Sequence, residues 1–355
     1  MSIQTEQQDA SHVIAELYQN TFFQRYWRAI GRFIGRGQQA TLWLSVAIVM
    51  GINLLLGVSV SVLIRETQFT TMTAILVNIM WVTYGFLVIP LSVTINTRMV
   101  EFLRLRFVKS LQDESNIHKL LSWASQWFGN QSTQFFFALS FGIALALLTF
   151  YSIYPATKFS VGQTLIYFIS FFHVAGAVYG LLAVLAFAAM LDKLPLALYS
   201  DDPANSPILL QLSKQLRDYI LAFAFASAGL LLLNGLVGSL NIRVIILTLV
   251  VAWIPMLALF FTGNQAFSQQ IIRVKYQRLE ELQSQIMKLS HVENLDKDTI
   301  AHIKSLIDYH DRVKSSRNSL YSTESFVNLV GSLAMPLLGA TLSIIDVWQK
   351  IFGEP

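Results

Sequence analysis

Six stretches of this sequence carry no Lys, Arg, Asp or Glu: Thr41–Leu63, Thr71–Ile95, Thr133–Tyr154, Leu165–Leu191, Tyr219–Leu240 and Val244–Gln265. Each meets the ~20 residues that a helix needs to cross a ~30 Å hydrocarbon layer. A water-facing helix needs a polar stripe, and a buried helix of a soluble protein rarely stays charge-free for so long. Composition agrees. The 355 residues are 54% hydrophobic and 13% charged, against about 25% charged in soluble domains. The chain therefore reads as a polytopic α-helical membrane protein.

Val327–Ile345 is a seventh candidate. It is uncharged but interrupted by Asn328, Gly331, Ser332, Pro336 and Gly339. Its length and hydropathy suffice for a span, with a re-entrant path as the alternative.

Orientation follows from the basic residues. The N-terminal segment and the links 96–131, 192–218 and 266–323 together hold 21 Lys and Arg, while the alternate links hold Arg65, Lys158 and Arg243. The positive-inside rule places the N-terminus and the long links in the cytoplasm. The first 39 residues lack the short apolar core and small-residue cleavage site of a secretory leader, so none is expected. The expected membrane is a bacterial-type plasma membrane, with an organelle membrane as the alternative.

Residues 1–11 are polar and Gln-rich and read as a disordered tail. Residues 12–39 read as an amphipathic interfacial helix. At about 100° per residue, Arg25, Arg28, Arg32 and Arg36 share one arc, and Phe22, Phe23, Tyr26, Trp27, Ile30, Phe33 and Ile34 fill the other side. A basic face opposite an aromatic one suits the membrane surface. The same pattern also suits packing on the protein's own inner side. Residues 40–265 form the six-helix bundle.

Residues 266–323 carry two apolar seams: Leu279, Leu282, Ile286 and Leu289, then Ile300, Ile303, Leu306, Ile307 and Val313. Joined by a polar turn, they predict a cytoplasmic antiparallel helical hairpin with coiled-coil-like spacing. The first leg continues the sixth span. Residues 324–355 comprise the seventh membrane segment and a tail. The fold class is thus all-α, with six to seven transmembrane helices and a cytoplasmic hairpin.

Motifs for chemistry are absent. With no cysteine, disulfides and thiol nucleophiles are excluded. No Walker A, G-x-G-x-x-G, H-E-x-x-H or G-x-S-x-G occurs. His302, Asp308, His310 and Asp311 gather on one leg of the hairpin but read as a solvated face. No metal, cofactor or enzymatic activity is expected. A net charge of +4 gives nucleic acid no obvious hold.

The spans contain no charged pair for ion coupling. Their candidate pore or intramembrane polar residues are Asn53, Asn78, His173, Asn234, Asn264 and Asn328, with Thr83 beside them. Pro255, above the hairpin, is a candidate hinge, and Pro90 interrupts the second span. Gly176 and Gly180 form a G-x-x-x-G pair for close helix packing. Pro195, Pro203 and Pro207 stiffen a link whose Asp201 and Asp202 could face Lys288 or Lys304 of the hairpin.

These features lead first to an oligomeric channel gated or assembled through the hairpin. The alternative is a non-conducting sensor or scaffold that assembles partners, and the third reading is a transporter of a neutral or apolar solute. The expected partners are the bilayer, further copies of the chain and a soluble protein on the hairpin.

Overall fold

A computed structural model describes residues 3–34, 38–65, 72–111, 113–153, 160–236, 242–291, 297–320 and 331. The described residues are helical apart from short connections and one isolated antiparallel bridge, Leu111 to Leu196. Six helical stretches are long and apolar enough to cross a membrane: Leu42–Leu63, Asn78–Ser110, Gln131–Thr149, Val161–Lys193, Pro207–Leu233 and Ile245–Ser290. Their outer faces expose large apolar side chains, including Leu55, Val62, Phe136, Phe225 and Ile254. Such a surface is unfavourable in water and favourable in lipid. This is the architecture of a multi-pass membrane protein. The seventh candidate, Val327–Ile345, lies outside the described residues except for Gly331.

The N-terminal region differs from its sequence reading. Residues Ile3–Gln19 form a helix, α1, and Phe22–Ile34 form a second, α2. The expected disordered tail is helical from Ile3, because Ile3, Ala10, Ile14 and Leu17 make a one-sided stripe. Ala10 and Ile14 are buried, Ile3 and Leu17 pack against the same core, and Gln7 Nε2 donates to Leu111 O at 3.0 Å. Thr21 separates the helices. Its hydroxyl donates to Tyr18 O at 2.8 Å and accepts from Gln24 N at 3.3 Å, which caps the start of α2.

Trp27, expected at the membrane surface, is buried against Val46, Met50 and Ile89. The aromatic face of α2 covers the bundle, and its Arg25, Arg28 and Arg32 are exposed. Arg25 reaches Asn20 Oδ1 at 3.2 Å, and Arg28 donates to Gln19 O. Arg36 lies outside the described residues.

The bundle comprises α3 (Gln38–Leu63), α4 (Met72–Phe102), α6 (Gln131–Ile153), α7 (Val161–Met190), α8 (Pro207–Leu236), α9 (Ile242–Thr248) and α10 (Ile254–Ser290). Between α4 and α6 lies the short α5 (Glu114–Ala124). Helix α7 is the hub and packs against α3, α4, α6 and α10. It is apolar on nearly every side, as a helix surrounded by other helices must be.

Gly176 and Gly180 work within the chain. A Cβ at Gly176 would stand 2.9 Å from the Phe23 ring, and one at Gly180 would stand 2.3 Å from the Asn96 amide. The pair admits α2 and α4 to the surface of α7.

One end of the bundle continues into a packed helical layer. Ile14, Phe107, Leu120, Phe187, Leu212 and Phe267 belong to a single buried cluster there. Helix α4 passes through a π-helical turn at Leu103–Phe107 as it enters this layer. Gln270 Nε2 donates to Leu191 O at 2.7 Å and Leu194 O at 2.9 Å, so α10 satisfies carbonyls at the end of α7.

Helix α11 (Lys297–Ser315) lies along α10. Lys275 Nζ donates to Ser316 O at 2.7 Å and Asn318 Oδ1 at 2.8 Å. The Arg278 guanidinium lies 5.3 Å from the centre of the Tyr309 ring. The Tyr309 hydroxyl donates to Asp201. Tyr309 is therefore the residue that meets Asp201, in place of the expected Lys288 or Lys304. Residues 292–296, where the turn is expected, lie outside the described residues.

Candidate functional site

The spacing of residues on α4 builds one wall of a cavity. Trp81, Tyr84, Val88, Leu91 and Ile95 recur at three- and four-residue steps and so share one face, with Ser92 and Asn96 beside them. That face looks across to α6, α7, α8 and the start of the last span. Together they enclose a slot of about 1030 Å³ of atom-free space, its open side included. No described residue lining it is Lys, Arg, Asp, Glu or His. From Trp81 to Asn96 the α4 wall extends about 22 Å at 1.5 Å per residue.

A second cavity, with about 660 Å³ of atom-free space including its open side, lies between α1, α2, α4 and α7 and is more polar. Both cavities are lined by Ser92, Asn96 and Tyr219. There the Tyr219 hydroxyl donates to Asn96 Oδ1. This single bond ties α8 to α4 where the cavities meet. The bare backbone of Gly180 makes room for the Asn96 amide.

His173 faces the second cavity. Its Nδ1 lies 2.5 Å from Ile169 O. A carbonyl only accepts, so Nδ1 carries the proton and Nε2 accepts from the Tyr26 hydroxyl, also at 2.5 Å. Burial pushes the Tyr26 phenol up to about 12, which keeps it a donor. His173 thus fastens α2 to α7.

Of the other expected intramembrane residues, Asn53 and Asn78 join α7 to different neighbours. Asn53 is buried and its Nδ2 donates to Ile166 O at 3.2 Å and Ser170 Oγ at 3.0 Å, joining α3 to α7. Asn78 Oδ1 accepts from Gln163 Nε2 at 3.2 Å, joining α4 to α7. Asn264 is half-buried on α10. Asn234 stands on α8, its side chain outside the description, and Asn328 is outside the described residues. The Asn53 and Asn78 amides read as interhelical ties. Pro255 follows a π-helical turn at Leu249–Trp253, where Ile254 N donates to Leu249 O. A proline ring clashes with the carbonyl four residues back, and the wider turn relieves that clash. Val251 and Ala252 of this turn line the slot.

Sequence reasoning missed Asn96 and Tyr219 because both stand at the ends of their apolar runs. The second apolar run ends at Ile95 and the fifth begins at Tyr219, whereas α4 extends to Phe102 and α8 starts at Pro207. Helix continuity across Asn96-Thr97-Arg98, which holds no Pro or Gly, was the available signal. No protein-family model, curated protein or solved structure matches this chain.

Proposed function

We propose that this chain carries a neutral, largely apolar solute through the slot inside its own helix bundle. The observation that supports this reading is a charge-free wall running about half the length of a membrane-spanning helix. Such a wall stabilises apolar groups and cannot replace the hydration shell of an ion. The reading favours the third of the sequence-based expectations over an ion channel, because the described residues lining the slot include no charged side chain.

With the basic links in the cytoplasm, the Asn96–Tyr219 end of the slot faces inward and the Trp81 end faces outward. The bond between Asn96 and Tyr219 then stands as an inner gate. The α10–α11 unit reads as a cytoplasmic helical hairpin resting on that inner layer.

The test uses the full chain in liposomes with a fluorescent monoacylglycerol, quenched from outside. The protein is expected to speed the loss of inner-leaflet signal over protein-free vesicles. Ala226→Trp, which fills the slot, is expected to abolish that gain, with Ala222→Phe as a second filler should the first fail to fold. Discrete ion currents in a planar bilayer that both fillers leave intact would overturn the reading in favour of a channel elsewhere in the assembly.

A further inference from the structure

The slot is largely apolar, but polar residues line both of its ends: Asn96 and Tyr219, bonded to each other, at the inner end, and Trp81 and Thr149 at the outer end. Trp81 is 3% exposed and Thr149 is 3% exposed, and both line the slot. Trp81 Nε1 and Thr149 Oγ1 have no hydrogen-bond partner. Each is the sole polar atom of its side chain, so these side chains are wholly unpaired. Trp253 Nε1 is likewise unpaired but does not line the slot, while Asn53, Asn78 and Gln270 each have their second polar atom bonded.

Thr149 departs from the habit of helical threonines in this protein. Thr94, Thr97 and Thr164 each donate to the carbonyl four residues back, at 2.8 Å, as such hydroxyls commonly do. Thr149 makes no such bond. It stands one turn beyond Leu145, which packs in the same buried cluster as Trp81. Two polar atoms with almost no accessible surface are therefore left unsatisfied in residues that line one end of the cavity. A buried group without its hydrogen bond costs about 1–3 kcal/mol, a cost that an occupant could remove.

We propose that the slot takes a single-chain neutral amphiphile, with the hydrogen-bond acceptor of its head group against Trp81 Nε1 and Thr149 Oγ1 and its chain along α4. This rests on the solute-binding reading above and adds a substrate class and a polarity to it. The indole N–H only donates, while the threonine hydroxyl donates or accepts. An ester carbonyl or a hydroxyl oxygen fits both. A carboxylate or ammonium head would be desolvated without a counter-charge, because no described wall residue is charged. Between the ends, Val88, Leu91, Phe223 and Ala226 offer only apolar contact.

The test uses the full chain in nanodiscs with a monoacylglycerol bearing a mid-chain diazirine, followed by peptide mapping and competition. Label is expected on α4 and α8. Unlabelled monopalmitoylglycerol is expected to compete at least about ten-fold better than hexadecane or palmitate. Trp81→Phe and Thr149→Val are each expected to weaken that competition about five-fold, the effect of one lost hydrogen bond. Both keep most of the side-chain shape, and either reports alone if the other fails to fold. Label in the slot with equal competition by hexadecane, or with both variants unchanged, overturns the polar end and leaves the solute-binding reading standing. Label absent from the slot, and unaffected by Ala226→Trp, overturns both.

Discussion

Asn96 and Tyr219, 123 residues apart in the chain, share a hydrogen bond at the junction of the two cavities of the bundle. Tyr219→Phe removes the donor and keeps the ring. We expect a loss of about 1 kcal/mol in stability, in the range of interhelical hydrogen bonds in membranes, together with faster solute transfer. Thermal unfolding in detergent and the vesicle assay measure the two effects. Unchanged transfer in a folded variant would remove the gate from the mechanism.

Gly180 and Gly229 make opposite predictions for the same substitution. A Cβ at Gly180 meets the Asn96 amide at 2.3 Å, whereas one at Gly229 meets nothing within 4 Å. Gly180→Ala is expected to destabilise by about 1–3 kcal/mol through overpacking. Gly229→Ala is expected to be neutral or to stabilise by up to about 1 kcal/mol through helix propensity. Paired melting curves decide whether the G-x-x-x-G stripe of α7 works inside the subunit.

Trp27 distinguishes a helix lying on lipid from one packed on protein. It is buried against Val46, Met50 and Ile89. Trp27→Ala is expected to cost about 3–5 kcal/mol in fold stability. Arg28→Ala and Arg32→Ala, at exposed positions, should stay within about 0.5 kcal/mol. A Trp27 variant that melts like the parent but binds vesicles less well would restore the interfacial role.

The contact between α11 and the link after α7 should depend on pH. Hydrogen bonds from Tyr309 and then Ser200 hold the Asp201 carboxyl below its usual range, with Arg278 and Arg312 assisting. A depressed folded value means that the contribution is present above the unfolded carboxylate range. It is lost as pH falls through the lowered value. Spin-label distances between α11 and residues near 200 should therefore lengthen only in acid. Tyr309→Phe should shift that opening to higher pH.

Much of the architecture was legible before any coordinates. The six apolar runs match the six long helices, and the continuation of the last span into a longer helix follows from the absence of Pro and Gly in Asn264–Ser290. The site was legible only in part. His173, Asn53 and Asn78 stood out as polar residues in apolar runs, yet the structure uses them to tie α2, α3 and α4 to α7. The amphipathic pattern of α2 was real, but an aromatic face buries as readily against a protein as against lipid.

By itself the sequence determined the solvent of this protein, because charge-free length is a local property and lipid penalises every exposed charge. It also determined where the chain must be helical, since a backbone in hydrocarbon has to satisfy its own hydrogen bonds. Only the tertiary structure decided which faces meet. It brought Tyr219 to Asn96, set Trp81 and Thr149 on one cavity without hydrogen-bond partners for their polar atoms, and turned Trp27 inward. Those outcomes depend on crossing positions and rotations of helices far apart in the chain, which no local periodicity encodes.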